Sequence, residues 1–135
     1  MSFVTDSSAI IAILKRETDA EVYASKLALD VPKFISAGSL LECGVVVGRG
    51  LGTGALANMN VLLRGANIEP VAFDPAQYEV GLNAYLLYGR GSGHRANLNF
   101  GDCFSYALAK TRGLPLLFKG DDFIHTDVEP ALGSS

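Results

Sequence analysis

Short apolar runs of strand character recur along this chain at residues 2–5, 32–36, 68–72 and 114–119, and between them lie stretches of helical periodicity. The first run passes into helix with no room for a hairpin turn. Strands separated by helices pair in parallel through right-handed crossovers, and the helices then cover the sheet. The predicted fold is therefore α/β, a three-layer sandwich with a central, mostly parallel sheet and helices on both faces.

The helices can be placed from their caps and apolar faces. One begins near Ser7 and turns Ile10, Ile11, Ile13 and Leu14 towards a core. Thr18-Asp19-Ala20-Glu21 reads as a capping box opening a helix to about Leu29. Ser39 precedes a third, 40–49, which Gly50 and Gly52 break before a fourth at 53–64. Pro75 suits the first turn of a helix over 75–88. A glycine-bearing loop, 89–99, leads to a last long helix over 101–112, closed by Gly113. At 135 residues the chain suits one domain, 1–132, with 133–135 a disordered tail or expression remnant.

Apolar residues make up 49% of the chain, enough for a real core. No apolar run approaches the roughly 20 residues that span a bilayer, so no membrane is expected as a partner. The opening residues lack the basic flank and cleavage site of a secretory signal, and a cytoplasmic location is expected. Cys43 and Cys103 have no ligand-type spacing and are expected to be reduced and packed as small apolar side chains.

In parallel sheets, sites form beyond the carboxyl ends of the strands. Asp6 leaves the first strand, Glu42 follows the second, Asp102 opens the last long helix, and Asp121 and Asp122 follow the last strand. Singly, each has a bland explanation as a helix cap or first-turn acid. Jointly, converging carboxylates repel unless a cation or a shared proton intervenes. An all-oxygen set suits Mg²⁺ or Mn²⁺ rather than Zn²⁺. No G-x-S-x-G motif offers a nucleophile, and Gly48-Arg49-Gly50-Leu51-Gly52 lacks the lysine and preceding strand of a phosphate loop.

Three segments resemble PIN domains, and in particular the VapC toxins of bacterial toxin–antitoxin pairs. They are Phe3-Val4-Thr5-Asp6-Ser7-Ser8-Ala9, the stretch Leu98-Asn99-Phe100-Gly101-Asp102-Cys103-Phe104-Ser105-Tyr106-Ala107-Leu108-Ala109, and Leu116-Leu117-Phe118-Lys119-Gly120-Asp121-Asp122-Phe123 followed by Thr126-Asp127-Val128. Their order and spacing agree along essentially the whole chain. The resemblance implies a PIN-like sandwich and an Mg²⁺-dependent endoribonuclease, usually dimeric and blocked by a VapB-type antitoxin. It carries the family's acids onto Asp6, Glu42, Asp102 and the Asp121–Asp122 pair. Either neighbour could be the fourth acid; Asp121, as the first carboxylate off the strand, is favoured. Ser7 fits the small hydroxyl that accompanies the first acid and orients a water on the metal. A haloacid-dehalogenase-type phosphatase would need a second Asp where Ser8 stands.

Net charge is −3 and the isoelectric point about 5.2, which taken alone argues against a nucleic-acid partner. Without Asp6, Glu42, Asp102 and Asp121, the 14 acids fall to 10 against 11 Lys plus Arg, a balance of +1. Arg90, His94 and Arg95 in the loop before Asp102 are candidates for steering an RNA backbone. The rival reading is a catalytically inactive PIN-like domain working as a binding or scaffold module, against which the full acidic set argues.

Overall fold

A computed structural model of the protein describes residues 1–133, so the tail expectation falls, beyond Gly133, outside the described residues. In chain order the elements are β1 (Phe3–Thr5), α1 (Ser7–Leu14), α2 (Ala20–Leu27), β2 (Lys33–Ser36), α3 (Ala37–Leu51), α4 (Thr53–Gly65), β3 (Ile68–Val71), α5 (Pro75–Tyr88), α6 (Asp102–Arg112) and β4 (Leu116–Leu117). A single 3₁₀ turn, Phe123–His125, follows. The four strands form one sheet in the order β3-β2-β1-β4, and every pairing is parallel. The expected α/β sandwich is what the chain forms.

Side-chain alternation along the strands divides the core into two layers. Phe3, Ile35 and Leu117 pack with Ile10, Tyr23, Leu27, Val47, Met59 and Leu63 from α1 to α4. Val4, Leu116 and Phe118 face the other way, onto Leu98, Tyr106, Leu108, Phe123 and Val128. Both layers are built from apolar side chains withdrawn from water, at about 25 cal/mol per Å² of apolar surface. This two-sided burial is why the strands read as apolar runs rather than as an alternating pattern.

Three boundaries depart from the sequence reading. Asp19, not Thr18, precedes α2, and its side chain makes no cap bond; it pairs with Lys119 Nζ at 2.9 Å instead. Helix α3 begins at Ala37 because Ser36, the last residue of β2, caps it by accepting from the Gly38 N–H at 3.2 Å. Ser39 is therefore inside the first turn, and Glu42 lies beyond that turn. Strand β4 is only two residues long. Its outer edge is taken up by the tail, where the Leu116 N–H donates to Glu129 O and Ala131 N–H to Leu116 O, both at 2.8 Å. The chain then turns at Gly120, whose φ of +104° favours glycine.

The strand order puts β1 between β2, which continues to β3 on one side, and β4, reached last, on the other. A reversal of direction of this kind opens a crevice at the carboxyl ends of the strands. Asp6 leaves β1 at that point.

Candidate active site

Asp6 is buried and caps α1, its Oδ2 accepting from the Ser8 N–H at 3.0 Å. Its Oδ1 accepts from the Ser105 hydroxyl at 2.5 Å, and Ser105 Oγ stands 2.8 Å from Ser39 Oγ. Ser8 Oγ accepts from the Lys119 N–H at 2.9 Å, tying the start of α1 to the segment that leaves β4. Asp6 is thus fixed from both sides by its own helix and by α6.

Glu42 reaches the same place from α3. Its Oε1 accepts from Ser7 Oγ at 3.1 Å, and its Oε2 would be 2.0 Å from a Cβ at Gly101. The carboxylate therefore lies against the backbone just before Asp102. Asp102 and Asn99 cap each other: the Asn99 N–H donates to Asp102 Oδ2 at 3.0 Å, and the Asp102 N–H to Asn99 Oδ1 at 2.9 Å. That reciprocal pair is the Asn99-x-x-Asp102 capping box visible in the sequence.

The charges act on one another. Burial pushes the Asp102 carboxyl up to about 7, aided by the negative charges of Asp6, Asp122 and Glu42 and opposed by the Asn99 N–H. Burial also raises Glu42, with Asp6 adding to the rise and the Ser7 hydroxyl opposing it. Asp6, Glu42, Asp102 and Asp122 therefore share one electrostatic neighbourhood. Strand β4 ends at Leu117, short of the run to residue 119 that the sequence suggests, and after the turn at Gly120 both Asp121 and Asp122 are exposed.

No basic side chain neutralises the cluster among the described residues. The ion pairs there are Lys110–Asp127, Lys119–Glu17 and Lys119–Asp19. Lys119 lies next to the crevice in sequence, yet its ammonium is turned to Glu17 at 2.7 Å. Also among the described residues, no three His, Cys, Asp or Glu side chains already stand as a ligand cluster. Ser105, Ser8, Ser7 and Asn99 hold the individual carboxylates in place of a common centre.

Of the three loop residues Arg90, His94 and Arg95, the two arginines are exposed. His94 is committed to the loop itself: its Nδ1 accepts from the Ala96 N–H at 3.0 Å, and its ring meets Tyr88 edge-on at 4.8 Å. Cys43 and Cys103 are free and buried, with thiols pushed up by burial to about 12 and about 11, so both are inert, as expected. No helix among the described residues is long and apolar enough to cross a membrane.

Sequence reasoning did not single out Ser39, Ser105 or Gly101 for this site. Ser39 looked like a cap, and serines in helices carry no periodic signal. Only the alignment of α3 with α6 shows what they touch.

The four-stranded parallel sheet, with Asp6 leaving it at the reversal point, is the fold of a chain that matches the PIN domain family over residues 3–129. Ribonuclease VapC28 of Mycobacterium tuberculosis is 47% identical over 131 residues, covering 96% of this chain and 97% of that protein. Ribonuclease VapC of Mycolicibacterium smegmatis is 45% identical over 125 residues, 93% and 96% of the two chains. The chain belongs to the VapC toxin family of PIN-domain proteins. Solved structures agree on the fold. The sarcin-ricin loop cleaving toxin VapC20 of Mycobacterium tuberculosis superposes with a TM-score of 0.75 at 14% identity, covering 93% of this chain and 95% of that one. VapBC2 from Rickettsia felis, bound to a DNA fragment from its promoter, gives 0.67 at 14% identity and 96% coverage of each.

Proposed function

We propose that this protein is the toxin of a type II toxin–antitoxin pair and hydrolyses RNA phosphodiester bonds internally, with Mg²⁺ or Mn²⁺ as cofactor. The observation that carries this reading is that Asp6, Glu42 and Asp102 are each held in place by Ser8, Ser105, Ser7 and Asn99, with Glu42 lying against Gly101 and no ion pair to any of the three among the described residues. Such a set favours a bound cation, because repulsion among the carboxylates is relieved by one. Its donors are all oxygen, which fits a hard divalent ion.

Asp6, Asp102, Glu42 and Asp122 are the residues proposed to hold the ion, with Asp121 beside them. A divalent cation there would supply a water of lowered pKa and stabilise negative charge developing on phosphorus. The protein's own contribution is placement. Ser8 and Ser105 fix Asp6, Asn99 fixes Asp102, and Ser7 holds Glu42 by one oxygen while the other lies over Gly101. Glu42, with its raised pKa, is suited to take a proton from an attacking water, and Ser7 to orient that water through Glu42. Arg90 and Arg95, with the free edge of His94, are proposed to meet the RNA backbone.

The partners proposed are RNA, a VapB-type antitoxin and a second copy of the chain, in the cytoplasm. Relatives named as VapC ribonucleases support the substrate class, and a solved toxin–antitoxin complex from Klebsiella pneumoniae with a TM-score of 0.65 shares the fold. The test is RNA cleavage by purified protein with and without Mg²⁺, followed by mapping of the cut ends. Cleavage that needs the metal and disappears in Asp6→Asn supports the nuclease. RNA binding without cleavage under any divalent ion would favour the scaffold reading.

A further inference from the structure

The polar contacts of Asp6 continue inward, away from solvent. Ser105 sits near the start of α6 and Ser39 in the first turn of α3, and both are fully buried. A serine in a helix can turn its hydroxyl to solvent or back to a nearby main-chain carbonyl. These two do not. Ser105 Oγ donates to Asp6 Oδ1, and Ser39 Oγ meets Ser105 Oγ at 2.8 Å.

Proton counting fixes the direction of the chain. Each hydroxyl has one proton, and an ionised carboxylate only accepts. Ser105 spends its proton on Asp6, so Ser39 must donate to Ser105. The order is Ser39 to Ser105 to Asp6. Alanine at either position would favour the helix more and bury no hydroxyl. Fold alone gives no reason for the pair, whereas the orientation of Asp6 does. With the Ser8 N–H on Oδ2 and Ser105 on Oδ1, the plane of the carboxylate is set by donors from two helices.

We propose that Ser105, itself held by Ser39, is a positioning residue that orients the Asp6 carboxylate for a divalent cation. This rests on the metal-dependent reading above. Outer partners of ligating carboxylates typically contribute 10–100-fold to metal affinity or activity.

The test is Mn²⁺ titration of metal-free protein, followed by the electron paramagnetic resonance of free Mn²⁺, for wild type, Ser39→Ala, Ser105→Ala and the double variant. Melting temperatures are taken without metal in parallel. Ser105→Ala should weaken Mn²⁺ binding by about tenfold or more. Ser39→Ala should weaken it less, and the double variant should be no worse than Ser105→Ala, because Ser39 acts only through Ser105. If Ser105→Ala fails to fold, Ser39→Ala carries the test, since it leaves Ser105 in place: a weakened Mn²⁺ affinity at an unaltered melting temperature supports the proposal, and unchanged affinity overturns it. Affinity of folded Ser105→Ala within about twofold of wild type, or losses that simply multiply in the double variant, would overturn the proposal. Wild-type protein that binds no Mn²⁺ overturns both this proposal and the reading it rests on; wild-type binding with unaffected variants overturns this one alone.

Discussion

Glu42 Oε2 lies where a side chain at Gly101 would begin, 2.0 Å from the place of its Cβ. Gly101 has φ −63° and ψ −33°, a conformation open to any residue, so space rather than backbone freedom calls for glycine here. Gly101→Ala should still fold, since its backbone suits alanine, but only with the Glu42 carboxylate displaced and its bond from Ser7 disturbed. The flexible end of Glu42 must move aside. RNA cleavage should fall by roughly 10–100-fold. Melting temperature and cleavage rate measured on one preparation check this, and full activity would show that the place of Glu42 does not matter.

Asp121 and Asp122 provide a direct contrast between neighbours. Both are exposed, and the charge of Asp122 adds to the raised Asp102 carboxyl. Asp122→Asn should reduce Mg²⁺-dependent cleavage by at least about tenfold, and Asp121→Asn by much less. Comparing the two rates at equal Mg²⁺ decides the matter; the reverse ranking would return the role to the first carboxylate after the turn.

Much of this architecture is legible in the sequence, and the exceptions share a cause. Asp6 after an apolar strand, Pro75 in a first helical turn and Gly113 after the last helix carry local signals, and the structure places α1, α5 and the end of α6 as those signals indicate. The Asn99–Asp102 box is local too. Ser39-x-x-Glu42 has the same lettering as a capping box, yet Ser36 takes the cap and Ser39 bonds to a residue 66 positions away. Nothing local distinguishes the two cases. The end of β4 is likewise set by partners, β1 on one edge and residues 129–131 on the other, and not by its own apolar run.

Metal-free protein should lose stability as pH rises. The folded Asp102 carboxyl is raised to about 7 from an ordinary 3.8, so the native state holds a proton that the unfolded state has released between those values. Stability then falls with pH across that window and levels off above it, by about 1–3 kcal/mol. Glu42, also raised, adds to the same trend. Asp19 and Asp127 are lowered and titrate below the window. Urea denaturation at pH 5 and pH 8 in chelator measures it. Asp102→Asn should flatten the difference and abolish cleavage, and an unchanged slope in that variant would place the proton elsewhere.

Arg90 and Arg95 should act on the RNA backbone and not on the chemistry. Alanine at each should weaken RNA binding without selecting among sequences, and should lower the salt dependence of log K by about 0.7 per lost contact. Binding to a catalytically silent Asp6→Asn background, measured across a salt series, separates this from slowed cleavage. A slope unaffected by either change would leave both as solvated loop charges.

The sheet order β3-β2-β1-β4 also has a consequence for timing. Asp6 is made well before Asp102 and Asp122, which lie beyond five of the six helices that follow it. Strand β1 can pair with β2 early, but its other edge stays open until β4 has been made. A chain synthesised from its amino end cannot gather the four carboxylates before Asp122 has been made. Until β4 and the segment after it have been made, the translating ribosome therefore carries a nascent chain that lacks the full acidic set.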